Sequence, residues 1–161
     1  MVSLSNHVTI VGEAGVNHGG KLQTALALVD AVQIAGADIV KFQLYKTEKL
    51  VVSGHPDFQM LQGLELTLKK FSLLAQRCRT LGIEFLVSVF HLDAVAMAEE
   101  LRLIGERTLR PSLSRLKLPS GELTNLPLIQ AVAEAGFPVI ISTGMARLSE
   151  VEAAIETYEA H

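Results

Sequence analysis

The sequence has no tryptophan, one cysteine, and aromatic side chains at only 5% of its 161 positions. A lone thiol, Cys78, closes no internal disulfide and points to a reducing compartment. Charge is also sparse, at 19% of residues against an ordinary share of about 25%. The formal net charge is -3, and no Lys/Arg stripe offers an electrostatic footprint for nucleic acid. Long apolar runs are missing too. Stretches such as residues 83–90 are strand-sized, far below the roughly 20 residues that span a bilayer. Residues 1–7 are polar and lack the apolar core of a signal peptide. These absences predict a soluble, cytoplasmic chain with no nucleic-acid or membrane partner.

What is present is apolar. Hydrophobic residues make up 49%, and mean hydropathy is +0.35, which excludes a disordered tail. A chain of this length is one ordinary domain and buries roughly two-thirds of its unfolded surface.

Two textures alternate along it. Residues 8–16 read as a strand entering a Gly-rich turn. Leu22, Leu26, Val29 and Val32 then recur at helical spacing, with Gly36 as the stop. Residues 39–45 form the second strand. After a loop holding Gly54 and Pro56, Thr67 caps a helix whose apolar face is Leu68, Phe71, Ala75, Cys78 and Leu81, ending at Gly82. Residues 83–90 form the third strand, and Asp93 caps a helix reaching about Leu103. Residues 105–114, with Arg107, Arg110 and Pro111, read as a surface excursion. Residues 115–119 are the fourth strand. Asn125 and Pro127 open a helix stopping near Gly136, and residues 137–143 are the fifth strand. Ser149 opens a last helix, with Glu150 and Glu152 at its positive end.

About five β–α units predict an α/β fold with a parallel sheet covered by helices. Two architectures fit: an open doubly wound sheet, or a partial (β/α)8 TIM barrel. Both place chemistry at the C-terminal ends of the strands. Polar residues do gather there: Glu13, then Lys41 and Gln43, Ser88, Lys117 and Ser120, and Ser142 with Thr143. Lys41 and Gln43 share the face opposite Val40 and Phe42, because side chains alternate along a strand.

A lysine inside an apolar strand is costly to bury unless paired. Lys41 and Lys117 occupy equivalent places in two units, which predicts an anionic ligand held between them. The competing reading pairs each with a structural carboxylate, Glu13 or Glu122. Lysines, hydroxyls and the amides of Gly19-Gly20 and Ser120-Gly121 suit phosphate and carboxylate oxygens. Cys78, Met60, Met97 and Met145 read as packing residues, and Lys69-Lys70 as a solvated helix face. His18 and His91 fall in loops, where a lone histidine is a solvated or hydrogen-bonding residue more often than a metal ligand. No histidine pair has ligand spacing, so no metal residue is assigned.

Five stretches, in order, resemble the sialic acid synthase family. They are Gly12-Glu13-Ala14-Gly15-Val16-Asn17-His18-Gly19-Gly20, residues 35–43, residues 82–86, residues 117–128 and residues 138–145. The resemblance covers nearly the whole chain. It implies an enzyme that condenses phosphoenolpyruvate with an N-acetylated hexose such as N-acetylmannosamine, releasing phosphate and a nine-carbon 2-keto acid. It implies a (β/α)8 barrel followed by a small antifreeze-like domain, a homodimer, and a divalent metal, Mn or Mg. The family's metal-binding histidines come from later barrel strands, so residues 1–161 match the N-terminal portion of the barrel. By the same resemblance, Glu13, Lys41 and Lys117 are the catalytic residues, and the lysines grip phosphoenolpyruvate. Ser120 and Ser142 donate to its oxygens, and Asn17, His18 and Gln43 line the sugar side. Ser88 stands where the family carries Thr, and Val89 where it carries Pro.

Overall fold

A computed structural model describes residues 8–106 and 113–161. Five strands form one sheet: β1 (Val11–Gly15), β2 (Ile39–Leu44), β3 (Glu84–Val89), β4 (Leu113–Leu118) and β5 (Val139–Ile141). All neighbours are parallel, and the order is β1-β2-β3-β4-β5. That order decides between the two architectures. A doubly wound sheet reverses strand order partway across, whereas a barrel adds each strand beside the last. The fold is therefore a partial (β/α)8 barrel.

The helices are α1 (Leu22–Ile34), α2 (Thr47–Leu50), α3 (Phe58–Leu64), α4 (Leu68–Leu81), α5 (Leu92–Glu106), α6 (Leu126–Glu134) and α7 (Leu148–Glu159). The main core lies between them and one face of the sheet. Val40, Phe42 and Leu44 of β2, Phe85, Val87 and Val89 of β3, and Leu116 and Leu118 of β4 meet Val29, Phe71, Leu74, Cys78, Leu101 and Ile129 there. Each fully buried large apolar side chain contributes about 1.5–3 kcal/mol, so this layer is what holds the sheet to its helices. At Gly12, a Cβ would lie 2.5 Å from Val32 Cγ1, so β1 approaches α1 closely because position 12 has no side chain.

Helix ends follow the local chemistry. The Thr67 side chain accepts from Lys70 N–H, and Asn125 from Leu128 N–H, at 3.4 Å each. Gly82 sits at φ 71° and turns the chain from α4 into β3, while Ile83 N–H bonds back to the Cys78 carbonyl. Gly36 and Gly136 repeat this device before β2 and β5.

Several expectations need correction. Helix α5 begins at Leu92, so Asp93 lies inside its first turn and His91 precedes the helix in the capping place. Helix α7 begins at Leu148, with the Glu150 carboxylate accepting from Arg147 N–H, so Ser149 is not the cap. The loop after β2 holds two short helices, α2 and α3, because Thr47 and Glu65 clasp its two ends at 2.9 and 3.0 Å. Of the proposed excursion, residues 107–112 lie outside the described residues. On either side of them α5 runs to Glu106 and β4 begins at Leu113. Met97 does pack on the core, but Met60 and Met145 are exposed. No helix of the described residues is long and apolar enough to cross a membrane.

Candidate active site

The second face of the sheet carries the polar residues. Alternation sends Lys41 and Gln43 of β2, Ser88 of β3 and Lys117 of β4 away from the helices. Register then sets them side by side. Glu13 stands opposite Lys41, Gln43 opposite Ser88, and Ser88 opposite Lys117. Below them, nearer the N-terminal ends, Ile39 and Leu86 are buried outside the main core cluster. At the base, Arg115 bonds both carboxylate oxygens of Glu84 at 2.7 and 3.2 Å, and Ser114 shares one of them. β4 carries one extra residue against β3 between Leu113 and Leu116, which lets adjacent side chains reach the same carboxylate.

Lys41 forms an ion pair with Glu13 and donates to Ser88 Oγ at 3.1 Å. Lys117 donates to the Leu118 carbonyl at 2.7 Å. Burial, and then the charge of Lys41, hold the Lys117 ammonium below the usual lysine range, against the opposing pull of Glu13. The paired-carboxylate reading is thus half realised: Lys41 has Glu13, but Glu122 accepts from Asn125 Nδ2 at 2.8 Å and not from Lys117. Two ammoniums against one carboxylate leave the cluster a net positive charge.

The other expected residues surround it. A Cβ on Gly15 would meet Glu13 Oε1 at 3.0 Å and Gln43 Nε2 at 3.9 Å, so these two side chains flank the same glycine. Ser120 Oγ lies against Gly144, where an added Cβ would be 3.2 Å away. The Ser142 amide bonds the Leu118 carbonyl at 3.0 Å, holding the end of β5 to β4. The Asn17, Gln43, Ser120 and Ser142 side chains make no hydrogen bond to another described residue, which leaves their polar atoms available. Asn17 is exposed in the β1–α1 turn.

His18 is buried, not solvated, and rests against the Phe42 ring at 6.0 Å between centroids. Its Nδ1 accepts from Gly20 N–H at 3.0 Å, so its proton belongs on Nε2. Burial, helped by the Lys70 charge, depresses its pKa. Lys70 itself reaches the Gly20 carbonyl at 3.0 Å, so it is a loop anchor and not merely part of a solvated face. Nothing in the α4 pattern could have shown this, because the contact spans 50 positions. His91 is buried as well.

Comparison with known proteins decides the family. The NeuB family profile matches residues 28–161. The chain belongs to the NeuB family. Among relatives of this NeuB-family chain, N,N'-diacetyllegionaminic acid synthase of Legionella pneumophila is 39% identical over 92% of the chain and 43% of its own length. The crystal structure of N-acetylneuraminic acid synthetase from Leptospira borgpetersenii matches with a TM-score of 0.86 and 33% identity, over 96% of the chain and 51% of that protein. The spore coat polysaccharide biosynthesis protein SpsE of Bacillus subtilis matches with a TM-score of 0.73 and 35% identity, covering 40% of that chain. The chain thus spans about half the length of these relatives, or less. Its relatives include synthases of sialic, legionaminic and pseudaminic acids.

Among the described residues, no three His, Cys, Asp or Glu side chains converge to hold a metal. Glu13 is engaged by Lys41, and His18 Nδ1 by a backbone amide. The described residues therefore do not make a metal site.

Proposed function

We propose that the chain forms the N-terminal five β–α units of a sialic acid-type synthase barrel and carries its phosphoenolpyruvate half-site. One observation carries this reading: Lys41 on β2 and Lys117 on β4 face the same side of the sheet across β3, and burial and then the Lys41 charge disfavour the Lys117 ammonium. A trianionic ligand relieves that repulsion. Phosphate and carboxylate oxygens suit the two ammoniums and the hydroxyls of Ser88, Ser120 and Ser142.

In the reaction, C3 of phosphoenolpyruvate attacks the aldehyde of an N-acetylated, N-acetylmannosamine-like hexose. Water adds at C2, and phosphate leaves with the C2–O bond. The product is a nine-carbon 2-keto acid. Lys41 and Lys117 bind and neutralise the donor. Glu13, held beside Lys41, keeps a carboxylate at the reacting centre to accept or return a proton. Asn17, the His18 Nε2–H and Gln43 orient the sugar. Such chemistry belongs in the cytoplasm, where phosphoenolpyruvate is made, and the family resemblance carries a homodimer with it.

Phosphoenolpyruvate at millimolar concentration raises the melting temperature of the chain, and Lys41→Ala or Lys117→Ala removes the shift. No shift in the parent chain counts against the reading. A second reading, an assembly module, is favoured by the sheet edges at β1 and β5, which pair with no other strand among the described residues. Five strands do not close a barrel of eight. A well-behaved monomer in sedimentation overturns obligate assembly.

A further inference from the structure

His91 joins two loops of the candidate active face. Its Nε2 lies 2.9 Å from Lys46 N–H, in the segment after β2. Its Nδ1 lies 3.1 Å from Ala94 N–H, in the first turn of α5 after β3. A neutral imidazole has one unprotonated nitrogen and accepts only one of these bonds. Ala94 N–H has a second acceptor, the His91 carbonyl at 3.0 Å. Lys46 N–H has no other acceptor among the described residues. The lone pair that the fold requires is therefore on Nε2, with the ring proton on Nδ1.

We propose that His91 is a positioning residue: in its neutral form it ties the end of β2 to the end of β3, fixing Gln43 against Ser88, and protonation releases the tie. The tie falls two residues beyond Leu44 and Val89, the last paired positions of the two strands. It is the side-chain link that carries the β2–β3 register into the loops. Protonation of Nε2 turns an acceptor into a donor facing another donor, so the bond is lost outright.

The charges around the ring tune this. Lys46 and Lys49 face it from the segment after β2, Asp93 from α5, and Glu122 from the turn after β4. Burial, the largest influence, favours the neutral ring. Lys46 and Lys49 add to that, and Asp93 and Glu122 oppose it. Asp93 is itself drawn toward the two lysines at 3.9 and 3.8 Å.

The test is independent of the phosphoenolpyruvate reading, since it requires no ligand. Nitrogen-15 spectra of the histidine rings in the full chain at pH 7.5 are expected to show His91 with its proton on Nδ1. A proton on Nε2 overturns the tie. As pH falls through the His91 titration, amide-exchange protection of Lys46 drops at least tenfold while that of Ala94 is kept. The Gln43 and Ser88 amide shifts follow the same midpoint. Protection of Lys46 that is indifferent to His91 protonation, or Gln43 and Ser88 amides that do not move, overturns the proposal. His91→Asn removes the tie alone, because asparagine is too short for Lys46 while the residue 91 carbonyl still accepts from Ala94 N–H. In that variant Lys46 is unprotected at every pH and the titration of Gln43 and Ser88 disappears. The wild-type titration stands alone as a test if His91→Asn does not fold.

Discussion

Lys41 Nζ donates to Ser88 Oγ at 3.1 Å across β2 and β3, and the same ammonium is paired with Glu13 on β1. One lysine thereby spans three consecutive strands. Removing the hydroxyl leaves the ion pair intact and takes away a single neutral acceptor. Ser88→Ala is expected to cost about 1 kcal/mol of stability, the net worth of one hydrogen bond. It also weakens phosphoenolpyruvate binding several-fold. Denaturant titration and calorimetry read the two effects separately, and unchanged binding would remove Ser88 from the site.

Lys117 predicts the opposite sign for stability. Its pKa is depressed in the folded state, so the unfolded chain holds its proton more tightly. Folding is then disfavoured by this group at neutral pH. The penalty fades as pH rises from the lowered folded value toward the ordinary lysine value. Lys117→Met is expected to raise the denaturation midpoint while abolishing anion binding. A variant that is less stable than the parent would show that the ammonium is structurally satisfied.

Two glycines of nearly equal φ separate strain from collision. Gly20 and Gly82 lie at 72° and 71°. Around Gly82 there is open space, whereas a Cβ on Gly20 would fall 2.1 Å from the Gly63 carbonyl oxygen. Gly82→Ala should cost about 1–2 kcal/mol, the left-handed penalty alone. Gly20→Ala should cost clearly more, because α3 must move. Equal losses on thermal unfolding would contradict the packing of α3 against the β1–α1 loop.

Acid sensitivity follows from the buried histidines. His18 and His91 are both depressed, chiefly by burial. Their stabilising contribution is complete above the unfolded value near 6.5 and is lost as pH falls through their lowered folded values. Folding free energy measured between pH 7.5 and pH 5 is expected to decline, and less steeply in His18→Asn. A flat profile would place both rings in water.

Cys78 should be silent. Burial pushes its thiol up to about 12, and the side chain is fully enclosed beside α4's core neighbours. A thiol reagent is expected to label it only at the rate of global unfolding. Rapid labelling of the native chain would mean that α4 opens locally.

Much of this was legible from residue order. The β–α alternation, the glycine stops and the inward pairing of Lys41 with Gln43 follow from local periodicity, and the structure keeps all of them. The barrel-like strand order came only through the family resemblance, because periodicity finds strands without saying which lie side by side. Lys70 reaching Gly20 and His91 reaching Lys46 were hidden for the same reason. Each joins residues far apart in sequence, and nothing in their immediate neighbours distinguishes them from surface side chains. The short helices α2 and α3 escaped because a few residues give too little periodicity. Their position is set by Thr47 with Glu65, and by Tyr45 donating to the Leu61 carbonyl at 2.9 Å.

The strictly sequential strand order also bears on how the chain is made. Each strand pairs with the one synthesised just before it, so no strand must wait for a distant segment to emerge from the ribosome. Closing each unit requires only the intervening helix, and the entropy of loop closure grows slowly with such lengths. The sheet can therefore grow from β1 onward during translation, each new strand covering the open edge left by its predecessor.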